Sequence, residues 1–186
     1  MFYSSTQLQA LRGVSGNTFK KRLQYQLKHN KLTKLRKWLY GVPEQLPFAT
    51  AEHRKQAGNL VYVPSYISCE TVLQEAGCIF QYNEALTLMW PYTKEIFLEQ
   101  YHRMRQRKRL PHELLVNPLW LLHTKTYTQA SPERALCDLL RYNSAFTLDS
   151  ILPLQASYAI EIATLYAHYK PTILVRVLSL LGRSHD

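Results

Sequence analysis

Apolar positions are sparse up to Pro43, helically spaced as far as about His29, and become denser beyond Leu60. In residues 3–12, Leu8 and Leu11 lie three apart, predicting a short helix that opens at Ser4 or Ser5 and turns both leucines inward. Gly13-Val14-Ser15-Gly16 reads as a turn. Phe19, Leu23 and Leu27 then recur at i, i+4 and i+8. That period predicts a second helix from an Asn17 N-cap to about His29, packed on this face. Thr18, Lys20, Lys21, Gln24 and Lys28 are left for solvent or a groove. Asn30 ends it in the left-handed conformation that Asn tolerates. The stretch LTKLRKWLYGVP (32–43) has the alternation and aromatic content of a tight hairpin.

Residues 45–59 are polar and contain Pro47 and Gly58, which reads as a short helix or a linker at a domain boundary. Val61–Pro64 is strand-like. A helix is expected from a Ser68 cap to about Ala76, closed by Gly77. Residues 85–90 and 94–98 read as two strands. Ser131-Pro132-Glu133 is a helix start, with Ser as N-cap, Pro in the first position and Glu at the positive end of the dipole. Ala135, Leu136, Leu139 and Leu140 form its buried stripe. Two further helices are expected between 150 and 181, parted near Lys170-Pro171. Pro153, Glu161, Lys170, Pro171 and Arg176 interrupt this stretch, so it reads as core helices rather than a membrane span. The expected class is α+β: an N-terminal helix, turn, helix and hairpin unit (1–45), a linker (46–59) and a mixed α/β unit (60–186).

Charge changes the meaning of the first unit. The first 43 residues carry nine Lys/Arg and no Asp or Glu; the first carboxylate is Glu44. The whole chain has a formal net charge of +10. A folded face of one sign is suited to a polyanion, because each phosphate neutralised releases counterions. Helix, turn, helix and basic hairpin occur in the order of a winged helix-turn-helix; the alternative is an edge hairpin protected by lysines. Candidates for base readout are Asn17, Thr18, Lys20, Lys21 and Gln24, since Asn or Gln can pair with adenine and Lys with guanine acceptors. Lys28, Lys34, Arg36 and Lys37 are candidates for phosphate contacts. A second basic cluster, Arg103, Arg105, Arg107, Lys108 and Arg109, reads as a helix with charge around its circumference or as a basic loop. It would extend a DNA footprint, contact RNA, meet an acidic partner or simply be solvated.

The 46% apolar content and 13 Tyr exclude a disordered tail. Cys69, Cys78 and Cys137 show no metal-ligand spacing, and Cys137 reads as a small core residue. No apolar run follows Met1 as a secretory signal would, and a cytoplasmic location is expected. No Walker loop, GxSxG or HExxH motif is present. No catalytic residue, metal or cofactor is therefore expected. Arg134 and Asp138, at i and i+4, either pair structurally or mark a partner-facing surface.

Three segments together resemble the AbiEi-type antitoxin family of bacterial abortive-infection, toxin–antitoxin systems. They are the module ending LTKLRKWLYGVP, the block VPSYISCETVLQEAGCI (63–79), and QASPERALCDLLRYN (129–143), which is the most specific. The resemblance implies a winged helix-turn-helix that represses its own operon by binding inverted repeats in double-stranded DNA. It also implies a C-terminal antitoxin domain that counteracts a nucleotidyltransferase-type toxin, a candidate partner. The alternative function is a winged-helix adaptor of a phage-defence or mobile-element system without toxin neutralisation; a weaker one is a nuclease or RNA-binding protein using 102–109. Trp38 stands where the family's wing turn holds Gly. A bulky residue is costly at positive φ, so a longer or differently shaped turn is expected here.

Overall fold

The computed structural model describes residues 2–61, 63–81, 85–91, 95–98, 102–107 and 110–182, with the backbone path alone for 95–98 and 102–107. The fold is mixed α/β with two sheets, in keeping with an α+β class. The first part runs β1 (Phe2–Ser4), α1 (Ser5–Arg12), α2 (Gly16–Lys28), β2 (Thr33–Arg36) and β3 (Leu39–Gly41). Its sheet has the order β1-β3-β2, antiparallel throughout. Strand β1 has no counterpart in the sequence reading, because three residues are too few to display a period. Phe2 is nonetheless buried. Leu8 is buried as expected, whereas Leu11 is largely exposed. A helix of this length needs only a narrow stripe against its core.

A 3₁₀ helix (Pro43–Phe48) leads into α3 (Ala51–Val61). The stretch expected as a short helix or linker is thus helical, and it carries buried Lys55, Gln56, Ala57 and Gly58. Helix α3 packs on β1 and β3 of the first sheet and on β4 (Tyr66–Ile67) and β5 (Leu86–Met89) of the second. A Cβ on Gly58 would come within 2.8 Å of Leu86 Cδ2 and 3.0 Å of Leu88 Cδ2. The missing side chain therefore lets the helix lie close to β5. One buried cluster runs from Phe2, Leu35, Leu39 and Leu46 through Ala57 to Leu88, Leu136 and Tyr166.

The second sheet has the order β6-β7-β5-β4-β9-β8, with β6 (Glu95–Leu98), β7 (His102–Arg107), β8 (Leu121–His123) and β9 (Thr128–Ala130). Parallel pairs (β4 with β9, β5 with β7) alternate with antiparallel ones. Strands β5 and β6 match the two expected strands. Val61–Pro64 is not a strand: Val61 ends α3, and the strand begins at Tyr66. Helix α4 (Glu70–Glu75) follows, with Cys69 rather than Ser68 at its N-cap. The Ser68 hydroxyl instead donates to Asp138. Gly77, at φ +76°, closes the helix as expected.

The short α5 (His112–Val116) precedes β8. Helix α6 (Pro132–Tyr142) begins as its sequence predicts: Ser131 Oγ accepts from the Arg134 N–H, with Pro132 in the first turn. Ala135, Leu136, Leu139 and Leu140 are all buried, as is Cys137. Helices α7 (Ala156–Ala167) and α8 (Thr172–Gly182), parted at Lys170-Pro171, pack on α6 and on each other. Among the described residues no helix is long and apolar enough to cross a membrane.

Candidate nucleic-acid interface

The basic first unit is assembled around a small core of its own. Leu8 of α1, Phe19 of α2, Leu32 and Tyr40 of β3 are buried together, flanked by Tyr3, Val14, Leu23, Leu27 and Val42. The entry to α1 is fixed by a capping box: the Gln7 N–H donates to Ser4 Oγ (3.1 Å), and the Ser4 N–H donates to Gln7 Oε1 (2.9 Å). Gly13, at φ +58°, closes α1 with its N–H on the Ala10 carbonyl. Gly16 is left-handed as well, so the chain turns between the two helices at residues that tolerate it.

Helix α2 starts one residue before Asn17, with Ser15 at the N-cap, so Asn17 is a first-turn residue and not the cap. Phe19 is buried, and Leu23 and Leu27 pack against the same core, as their spacing predicts. Asn17, Thr18, Lys20, Lys21, Gln24 and Lys28 are all exposed. Asn17, Lys21, Gln24 and Lys28, at i, i+4, i+7 and i+11, share one face of the helix, with Lys20 beside it. Thr18 lies on the flank of that stripe, on the side of Arg22, Tyr25 and His29. Tyr25 and His29 rings are 4.2 Å apart and exposed. Sequence reasoning missed this aromatic pair, although its i, i+4 spacing was the available signal.

The hairpin is present and tight. Arg36 pairs with Leu39, so only Lys37 and Trp38 form the turn, and a bulge lies between Lys34 and Arg36. The longer turn expected from Trp38 is not formed: Trp38 itself takes the left-handed conformation, at φ +71°. Leu35 is buried, Lys34 and Lys37 are exposed and Arg36 is half-buried. Residues 2–43 contain no carboxylate side chain to neutralise this face. Such an arrangement can hold a polyanion by phosphate neutralisation, and the α2 stripe offers amide and ammonium donors at the spacing of a groove-facing helix.

Over residues 102–107 the second basic cluster is a strand, neither the helix nor the loop expected. Arg103, Arg105 and Arg107 occupy alternate positions of β7, an interior strand paired with β6 on one side and β5 on the other. Lys108 and Arg109 lie outside the described residues. Alternation of Arg with Met and Gln is a strand period; the density of charge had concealed it.

Arg134 and Asp138 are both buried, which removes the partner-facing reading of this pair. Asp138 accepts from the hydroxyls of Ser68 (2.6 Å), Tyr66 (3.0 Å) and Tyr166 (2.5 Å). Burial pushes its carboxyl above the ordinary 3.8, opposed by Arg134 and by these three hydroxyls. Arg134 donates to the carbonyls of Leu114, Asn117 and Leu119, and its guanidinium lies 4.6 Å from the centre of the Tyr66 ring. Glu133 combines its helix-start position with a tertiary role, accepting from the Gln155 N–H at 3.0 Å. Lys55 ties α3 to α4 and β9 through Glu75 and Gln129 (2.9 Å). All of these groups have structural partners within the fold.

No protein-family model and no curated protein matches the chain.

Proposed function

We propose that residues 1–45 form a winged helix-turn-helix that binds double-stranded DNA, with α2 in the major groove and the β2–β3 hairpin as the wing. The observation that carries this reading is the acid-free basic face. Helix α2 exposes Asn17, Lys20, Lys21, Gln24 and Lys28 along one side, and the hairpin exposes Lys34 and Lys37. The order β1-β3-β2 around two helices supports it, because it packs helices and hairpin on one core. The resemblance of residues 63–79 and 129–143 to AbiEi-type antitoxins extends the proposal to the whole chain. It is read as a cytoplasmic autorepressor in which the expected linker, residues 46–59, is a packed helical connection between the two parts. Residues 60–186 then form the antitoxin domain acting against a nucleotidyltransferase-type toxin. The burial of Arg134 and Asp138 makes the most specific of those blocks part of that domain's scaffold.

The test is a binding titration on DNA from immediately upstream of the gene, against scrambled DNA, at two salt concentrations. Selective, salt-sensitive binding is expected, together with rescue from the toxicity of the neighbouring gene's product. Weak and equal binding to both DNAs would sink the repressor reading. Selective binding without rescue would leave a DNA-binding adaptor.

A further inference from the structure

Trp38 occupies the single left-handed position of the hairpin. Its φ is +71°, and the chain reverses across Lys37 and Trp38 alone because Arg36 pairs with Leu39. In that region of backbone space a β-carbon is crowded, and turns of this kind select Gly or Asn. The indole stays largely outside the core: it is 62% exposed, while the hairpin leucines Leu35 and Leu39 are buried. The turn is nevertheless firmly held. The Ser5 N–H donates to the Trp38 carbonyl at 3.0 Å, and Ser4 pairs with Leu39. Lys37 Nζ lies 5.3 Å from the centre of the indole ring. The tip therefore presents a flat apolar ring with a cation at its face, from a fixed base, where glycine would have served the turn without strain.

We propose that Trp38 is a base-contacting wedge, its indole inserted at a base step of duplex DNA while Lys34 and Lys37 hold the flanking phosphates. The proposal rests on the DNA-binding reading and deepens it. A planar aromatic with a cation at its face complements a base stack flanked by phosphates. Stacking is indifferent to base identity, since every base has a π-face. Apolar wedges enter most easily at flexible pyrimidine–purine steps, which unstack at the least cost. The lysines and the indole would also suit an acidic protein surface, but the carboxylate-free basic face around them favours a phosphate polyanion. The hairpin would thus add a preference for deformable steps to whatever α2 reads.

The experiment uses the full chain and a mixed-sequence duplex with 2-aminopurine at a central TA-type step. Wild type, Trp38→Gly, Trp38→Phe and Lys37→Ala are titrated at two salt concentrations, and each free protein is melted. Trp38→Gly is expected to melt higher, because its strain is relieved. It should bind about tenfold more weakly, the change one stacked base carries, with an unaltered salt slope. Trp38→Phe should keep most of the affinity, and Lys37→Ala should lower the slope. The 2-aminopurine fluorescence should rise with wild type and not with Trp38→Gly. Wild-type affinity in Trp38→Gly would overturn the wedge while leaving the DNA-binding reading intact. A loss accompanied by a reduced salt slope would make the indole a support for Lys37 and overturn the wedge as well, as would a lowered melting temperature. Failure of the wild type to bind any duplex at low salt would remove both readings.

Discussion

Arg134 and Asp138, one turn apart on α6, are joined through a residue from a different element. The Tyr66 hydroxyl accepts from Arg134 Nη2 at 3.2 Å and donates to Asp138 Oδ2 at 3.0 Å. Tyr66 belongs to β4, so the link fixes α6 against the second sheet at the level of a single oxygen. All three side chains are buried. Losing that oxygen leaves buried polar atoms short of a partner, which costs more than the bond itself contributes. Tyr66→Phe keeps the ring over the guanidinium and is expected to lower unfolding stability by about 1–3 kcal/mol. Urea unfolding followed by circular dichroism measures it. A variant as stable as the wild type would mean that water or backbone adjustment supplies the missing partner.

Asp138 gives this region a pH dependence of definite sign. Burial raises its folded-state pKa above the ordinary 3.8. Between the two values the native chain holds a proton that the unfolded chain has released. Its contribution to stability is therefore present at low pH and lost as pH rises through the folded-state value. Asp138→Asn removes this titration and, by weakening a buried charged network, costs about 3 kcal/mol. The stability gap between wild type and variant should widen in favour of wild type on acidification from about pH 7 towards about pH 4. A gap that is constant or narrows over that range would show that hydroxyls and guanidinium outweigh desolvation at this carboxyl.

None of the three cysteines forms a disulfide, and all are buried. Burial, with the Glu133 charge added, pushes the Cys78 thiol up to about 11. Burial raises Cys137 as well, reinforced by Asp138. A buried thiol that stays protonated is a poor nucleophile. A chromogenic disulfide reagent near neutral pH is expected to modify none of them in the native protein and all three in denaturant. Fast stoichiometric labelling of the native chain would identify a site that opens locally.

Strongly periodic elements were legible in the sequence. Phe19, Leu23 and Leu27 located α2 and its inward face, and Ser131-Pro132-Glu133 located the start of α6 with its buried stripe. What escaped was short or set by distant partners. Strand β1 has three residues and derives its stability from pairing with β3. Ser68 looks locally like a helix cap, but a buried carboxylate from α6 takes its hydroxyl, and Cys69 holds the cap position. Gly58 read as part of a short helix or a linker; it lies inside α3, where a Cβ would press on the δ-carbons of Leu86 and Leu88. At the candidate interface, the sequence showed which side of α2 is polar, since that follows from period alone. It did not show that Trp38 would accept a left-handed backbone in a two-residue turn, because strand pairing on either side imposes that geometry.

The two halves of the candidate interface should fail differently when altered. Lys34, Arg36 and Lys37 lie in and beside the hairpin turn and can contribute charge without reading sequence. Replacing all three by Ala should weaken binding to every duplex alike and reduce the salt slope by about one for each lost contact. Asn17 and Lys21 share the exposed face of α2. Asn17→Ala or Lys21→Ala should cost about 1–3 kcal/mol on the preferred site, little on random DNA, and relax preference at one base position. Phe19→Ala supplies the internal control. It removes the buried anchor beneath α2 at a cost of about 3–5 kcal/mol in folding stability and should abolish selective binding without touching an exposed donor. Fluorescence anisotropy on the preferred and a scrambled duplex, at two salt concentrations, separates these outcomes. Equal losses on both duplexes from the Asn17 and hairpin variants would remove α2 as the reading element and leave a face that recognises only the charge of DNA.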